Sequence, residues 1–453
     1  MLVSWDSKSM RHFRTLVLFV VVIPFLCNTS WGTDMNASDL LGWNTLNEAP
    51  PILGPIVRLI ETHTGLTIQT VYRGFFYGNL AGGKNTGAAW NQEIRVTTTY
   101  EFGFLTEALA GLSFTSGVRW REGQDPNNFV GARRSFQPSH IDGGRHFRLR
   151  PFYLTYVTPE LFGVTNLLTI SGGWQNPYDI FLQQPISKLF VNRAIYTDKG
   201  LGPNIPWTGS YVAWGGYFKI APTHWMYGQA GFYVAAPGAA ATQNHGVDFR
   251  GSRIPGKPNG LYIISEVGIT PQIGPSQFPG KYVFGGFWYG APSEDLTWNR
   301  NLGRYGFYWQ ADQLLFRMDS SAALTRNTIR NNTQIPQKEL SFFSLFTYAP
   351  PYNNILPFYF HMGFDFQGII PTRNSDQLSL CYAYGTYSSY FAAFNRSKHL
   401  PIATTQSVLE VDYKFMLTRW IAFKLFYQYL INPASNNTLR NANILGFQIN
   451  SAF

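Results

Sequence analysis

The charged residues of this chain fall at alternate positions. Glu93, Arg95 and Glu101 share one parity with Thr97 and Thr99, while Ile94, Val96, Tyr100, Phe102 and Phe104 share the other. Arg119 and Arg121 stand with Ser113 and Thr115, against Ala110, Leu112, Phe114, Val118 and Trp120. A period of two places such charges on one face of a strand and the apolar side chains on the opposite face. The same rule puts Arg73, Glu266, Gln310, Asp312, Asp365, Glu410, Asp412 and Lys424 on the polar face. A polar face of this kind does one of two things. It forms ion-pair ladders between neighbouring strands, as Arg95 between Glu93 and Glu101 would. Or it lines a watery passage and selects what passes by charge.

Catalysis is a poor fit. His361 and Asp365 share the polar face, but four residues of strand separate them by about 13 Å. No serine sits in a G-x-S-x-G elbow. His140, His146 and His245 lack metal-ligand spacing, so neither a metal nor a cofactor is expected. Basic residues form no stripe beside a recognition motif, so nucleic acid is not an expected partner. An outer-membrane enzyme or adhesin is the alternative of a different class.

These charges need strands to carry them, and the composition says where the strands lie. Only 13% of the 453 residues are charged and 17% are aromatic, whereas a typical soluble domain carries about 25% charge. Disorder requires the reverse balance. The only long apolar run, Leu16 to Leu26, is too short to span a bilayer as a helix. Lys8, Arg11 and Arg14 precede it, Pro24 breaks it, and Ser30-Trp31-Gly32 offers small residues for cleavage. Residues 1–32 therefore read as a secretory signal peptide, with Met10 as an alternative start. The mature chain keeps one cysteine, Cys381, and a basic excess within the overall formal charge of +10. An exported chain without a disulfide must be stabilised by its fold alone, which a closed barrel achieves by pairing every backbone group between strands.

Ten-residue alternation recurs in about sixteen segments: near 66–77, 90–104, 109–121, 148–157, 167–175, 211–220, 225–235, 261–270, 281–290, 305–316, 339–348, 357–368, 377–387, 406–416, 420–431 and 443–453. The expected fold is all-β, a transmembrane antiparallel barrel over residues 65–453. Segments 148–157, 281–290 and 305–316 alternate poorly. Short and long connections also alternate, as periplasmic turns and external loops do. Two break that rule: 317–338 is long where a turn is due, and 349–356 is short where a loop is due. Within the N-terminal periplasmic segment 33–64, Ile52, Leu53, Ile56, Val57 and Ile60 take helical spacing, ended by Gly65. A short helix at the periplasmic mouth follows. The chain ends on an alternating strand with Phe453, resembling the signal that barrel-assembly machinery recognises.

Several stretches resemble the carbohydrate-selective porin (OprB) family of bacterial outer membranes. They include Ala213-Trp214-Gly215-Gly216-Tyr217 running into Trp225-Met226-Tyr227-Gly228-Gln229, and Gly260-Leu261-Tyr262 through Gly268. Pro279-Gly280-Lys281-Tyr282, Tyr308-Trp309-Gln310-Ala311-Asp312-Gln313, and the run from Val408 to Pro433 follow in the same order. Leu41-Gly42-Trp43-Asn44 departs from the Trp-Gly-Gly expected there, and 317–338 looks like extra sequence. The resemblance implies a sixteen-stranded outer-membrane channel for passive, selective uptake of sugars such as glucose. A general or anion-selective porin is the alternative among channels.

In a sugar channel, planar charged groups replace water around hydroxyls and flat rings cover the C–H faces. Arginines crowd one connection and its flanks: Arg119, Arg121, Arg133, Arg134, Arg145, Arg148 and Arg150. They form either a basic rim on lipopolysaccharide phosphates or a constriction that repels cations. The longest connection, 176–210, either folds into the lumen or lies over the rim. If inward, Tyr178, Asp179, Gln183, Asn192, Arg193 and Trp207 would touch the solute. A homotrimer is compatible with the pattern, because lipid-facing and subunit-facing strands are both apolar.

Overall fold

The computed structural model describes residues 27–29, 49–141, 143–205, 212–235, 259–291, 296, 303–318, 338–418 and 420–452. Most of the signal peptide, Trp207 and most of the 317–338 insertion lie outside the described residues. Sixteen strands close into one antiparallel barrel. In chain order they are β1 Leu66–Gly83, β2 Gly87–Glu101, β3 Leu112–Gly123, β4 His146–Val157, β5 Leu168–Gln175, β6 Ala213–Thr223, β7 Met226–Ala235 and β8 Gly260–Ile269. Then come β9 Phe278–Tyr289, β10 Arg304–Met318, β11 Lys338–Tyr348, β12 Phe358–Gln367, β13 Gln377–Thr386, β14 Thr405–Met416, β15 Ile421–Ile431 and β16 Arg440–Ala452. Each strand pairs with the next. β16 then returns to β1, with Phe447 opposite Phe76 and Ser451 opposite Tyr72, so no edge is left open.

The alternation seen in the sequence becomes the two faces of the wall. In β12, Met362 and Phe364 are 46% and 37% exposed, while His361 and Asp365 between and beside them are 0% and 3% exposed. The exposed parity is apolar because it faces lipid. The buried parity faces the lumen, which is filled rather than open.

That filling explains why some segments alternated poorly. On β9, Val283, Phe287 and Tyr289 point inward and pack in an apolar cluster with Phe181, Leu182, Ile186, Phe190 and Val191 from the connection after β5. Both faces of β9 are therefore apolar. The other two segments contain bulges. On the β3–β4 ladder the register shifts between Ser116 and Val118. The inward residues Arg148 and Arg150 therefore give way to the outward Phe152, Leu154 and Tyr156. A second shift, between Leu314 and Phe316, does the same on β10. An extra residue reverses the parity downstream of itself.

The two irregular connections do not alter the strand count. Met318 and Lys338 are paired, so 319–337 joins neighbouring strand ends on the side of the short turns. Residues 349–357 join β11 to β12 at the opposite end, where Ala349 N donates to Pro357 O (2.9 Å). Helix α1, Leu53–Thr64, enters the wall at the short-turn end. It stops at Gly65, which has φ +68° and whose Cβ would approach Phe104 Cβ at 2.6 Å. Only glycine combines that backbone with that approach.

The closing seam is equally tight at Gly446, opposite Tyr77 on β1 and Phe426 on β15. A Cβ there would run into the Phe426 ring and the Phe76 carbonyl oxygen. Gly446→Val should destabilise the barrel by about 1–3 kcal/mol, the usual cost of overpacking. The readout is a lower temperature at which the compact gel band of unboiled protein gives way to the unfolded one; an unshifted transition would mean that the seam yields freely.

Candidate functional site

The connection after β5 turns inward at once. Asn176 Oδ1 accepts from Tyr178 N (2.8 Å), setting a short 3-10 turn over Pro177–Asp179. Two further turns, Ile186–Leu189 and Ala194–Asp198, carry the chain across the lumen. Its apolar side chains are buried against the wall, but its irregular backbone must also be satisfied. The wall supplies the partners. Glu410 accepts from Val191 N (2.6 Å) and Asn192 N (2.9 Å), and Glu266 accepts from Leu182 N (3.1 Å). Lys281 Nζ and Gln310 Nε2 donate to Gln183 O at 2.8 and 2.7 Å. Tyr359 OH donates to Ala194 O (2.7 Å), and Lys424 Nζ to Leu189 O. The Gln184 side chain bonds His361 (2.6 Å) and Ser344 O (3.0 Å).

Several residues expected to line a passage are thus placed otherwise. Glu266, Gln310, Glu410 and Lys424 hold the inward connection. Asp312 accepts from Gln310 (3.2 Å), Asp365 accepts from Ser379 (2.7 Å), and Asp412 lies 3.7 Å from Lys424. Arg193 is fully buried between Asp198 (3.3 Å) and Gln137 (2.8 Å). None of these lines the opening described next. Glu101 is exposed at the short-turn end, away from it.

A space of about 500 Å³, open solvent included, lies between the inward connection and the wall of β1 to β4. The wall contributes Arg73, Glu93, Arg95, Arg121 and Arg150; the connections contribute His140, Tyr178, Asp179, Leu182, Lys188, Tyr196, Thr197 and Lys199. Its acids are committed to arginines. Glu93 takes Arg121 Nε at 2.6 Å and Arg95 Nη2 at 3.2 Å, with Arg119 Nε at 3.9 Å behind. Asp179 takes two bonds from Arg150 Nη2, at 2.8 and 2.7 Å. Tyr196 closes the other side. Arg73 donates to its hydroxyl, Lys188 Nζ stands 5.3 Å from its ring centroid, and His140 stacks on it at 3.7 Å. Burial by itself would raise the Tyr196 pKa, but Arg73, Lys188 and Arg95 outweigh it and bring the phenol down to about 8. His140 is pushed well below its usual value, by burial first and then by Arg73, and is neutral.

Of the residues the strand period offered, Arg73, Glu93, Arg95 and Arg121 line this space, with Arg119 behind Glu93; of those offered by an inward connection, Tyr178 and Asp179 do. Sequence spacing missed His140, Lys188, Tyr196 and Lys199, which sit on connections with no period to read. Of the crowded arginines, Arg148 and Arg150 face inward beside Arg119 and Arg121. Arg145 is exposed, and Arg133 is pinned outside to Ser435 (2.5 Å) and Pro401 O (3.1 Å). Among the described residues no three His, Cys, Asp or Glu side chains converge as a metal site requires.

A closed barrel with an apolar outer face, crossed by an inward connection that borders a polar opening, has the architecture of a porin. The chain belongs to the OprB family of carbohydrate-selective porins, which it matches over residues 85–453. Among solved structures it resembles Pseudomonas putida OprB at high pH, with TM-score 0.75 and 18% identity over 89% of this chain and 98% of that one. The low-pH structure of the same protein gives 0.51 and 15% over 87% and 95%. The channel DcaP of Acinetobacter baumannii gives 0.50 and 10% over 86% and 97%. No curated protein sequence is a significant match. The protein is an outer-membrane porin for passive carbohydrate diffusion.

Two outcomes follow from the geometry. Glu410→Ala removes both acceptors from Val191 and Asn192, bonds worth about 1.5–3 kcal/mol each when one partner is charged. Single-channel conductance should rise and become noisier as the connection loosens; an unchanged conductance would show that Glu410 is not its anchor. The Tyr196 phenol is neutral below a pH of about 8 and anionic above it. It faces Arg73, Arg95, Lys188, Glu93 and His140. Raising the pH through that value should therefore lower anion over cation permeability, read from reversal potentials in a salt gradient. The step should shrink in Tyr196→Phe, and an identical profile there would place the titration elsewhere.

Proposed function

We propose that the opening beside Tyr196 is the selectivity point for mono- and small oligosaccharides. The observation that carries this reading is the inward connection, bonded to the wall on several sides and bordering a polar space lined by arginines and lysines. Guanidinium groups offer planar donors to hydroxyls, and Tyr178 offers a ring. Signal-directed export of residues 1–32, a periplasmic segment 33–64 with α1, and a barrel over 65–453 complete the reading. The apolar outer wall would meet lipid, exposed Arg145 would meet lipopolysaccharide phosphates, and subunits would associate as a homotrimer. No catalytic role is assigned, and no cofactor. A general, anion-selective porin is favoured instead by one observation, the excess of cations around the opening.

Planar-bilayer conductance with and without sugars separates these. Glucose and maltose should reduce the current in a concentration-dependent way. Arg121→Ala should weaken that block roughly tenfold or more, as loss of a charge-assisted hydrogen bond does. No ion current at all would sink the channel reading. A strongly anion-selective current indifferent to every sugar would favour the general porin.

A further inference from the structure

We propose that the solute best fitted to this opening is an acidic sugar, a monosaccharide carrying a carboxylate; this rests on the sugar-channel reading above. Two independent observations on the lining carry it. The first is charge. Arg73, Lys188 and Lys199 all face the space, and none has a carboxylate within ion-pair distance among the described residues. Arg73 is bonded to the Tyr196 phenol, Lys188 stands over that ring, and Lys199 donates to Leu182 O (2.7 Å). The two acids of the lining, Glu93 and Asp179, are already engaged by Arg121, Arg95 and Arg150. Cations gathered in a confined space without counter-charge are costly, and an anion brought by the solute relieves that cost.

The second observation is hydrogen bonding. Arg95 Nε, Arg150 Nε and the Tyr178 hydroxyl belong to lining residues, are buried, and have no hydrogen-bond partner. Buried polar groups are normally paired, so orphans that gather around one opening mark where a ligand supplies the missing partners. Two of the three can only donate. The site is thus rich in donors and in positive charge, and poor in acceptors. A neutral sugar brings hydroxyls that need acceptors as well as donors. A sugar carboxylate brings two strong acceptor oxygens that guanidinium N–H groups bind well, while its remaining hydroxyls reach Tyr178. A carboxylate has a planar, two-oxygen edge like those Arg150 and Arg121 already hold on Asp179 and Glu93. That is the reason to prefer it over a phosphate ester.

The test compares glucose, glucuronate and glucose 6-phosphate as blockers of single-channel current through the wild-type protein, at low and at high salt. Glucuronate should block at a concentration roughly tenfold or more below that of glucose, on the scale of one charge-assisted hydrogen bond. The preference should fade in high salt as the charges are screened. In Lys188→Gln the ratio between the two sugars should fall several-fold. Equal block by glucose and glucuronate, or stronger block by glucose, overturns this inference and leaves the sugar channel standing. Tighter block by glucose 6-phosphate than by glucuronate overturns the assignment to a carboxylate. Current that none of the three affects overturns the sugar reading itself.

Discussion

Backbone amides inside a bilayer have no water to bond, so each must find a partner within the protein. This chain meets the constraint twice. The wall meets it through the sheet, which leaves no edge because β16 pairs with β1. The inward connection has no regular ladder to use, and it meets the same requirement with wall side chains instead. Glu410 and Glu266 accept its amides, while Lys281, Gln310 and Tyr359 donate to its carbonyls. Charges that sequence spacing assigns to a passage are thereby spent on building the wall of one.

The electrostatics of the opening follow from the same arrangement. Glu93 is 1% exposed and lies among Arg121, Arg95 and Arg119. A carboxylate in that position keeps several guanidinium groups close together, which mutual repulsion would otherwise drive apart. The ion-pair ladder and the channel lining, set out as rival roles for these residues, are therefore compatible. Glu93 holds the arginines in place, and Arg95 and Arg121 line the opening. Asp179 plays the matching part from the connection, fixing Arg150 by two bonds.

The barrel was legible because a lipid-facing wall obeys a period of two, and that pattern survives in nearly any residues of the right polarity. It blurred for physical reasons at three places. Bulges on β4 and β10 reversed the parity, and on β9 an apolar plug made both faces hydrophobic. The opening was half legible. Arg73, Glu93, Arg95 and Arg121 sit on strands and obey the period. His140, Lys188, Tyr196 and Lys199 sit on connections whose path is set by distant hydrogen bonds, such as Val191 to Glu410, and local sequence carries no trace of those. Arg193 illustrates the opposite case: a charged residue that an inward connection would offer to the solute is engaged by Asp198 within the connection and by Gln137.

This division separates what is robust from what is specific. A wall defined by alternation tolerates wide divergence, and 18% identity still accompanies a TM-score of 0.75 with Pseudomonas putida OprB. The inward connection is not tolerant in that way. Its path depends on particular carboxylates and lysines at particular registers, and the chemistry of the opening depends on its path. Moving Tyr196 by one turn would release Arg73 and Lys188 from the ring that now gathers them. The strands thus fix the wall, and the connection, through a few anchors on the far wall, decides which charges border the opening.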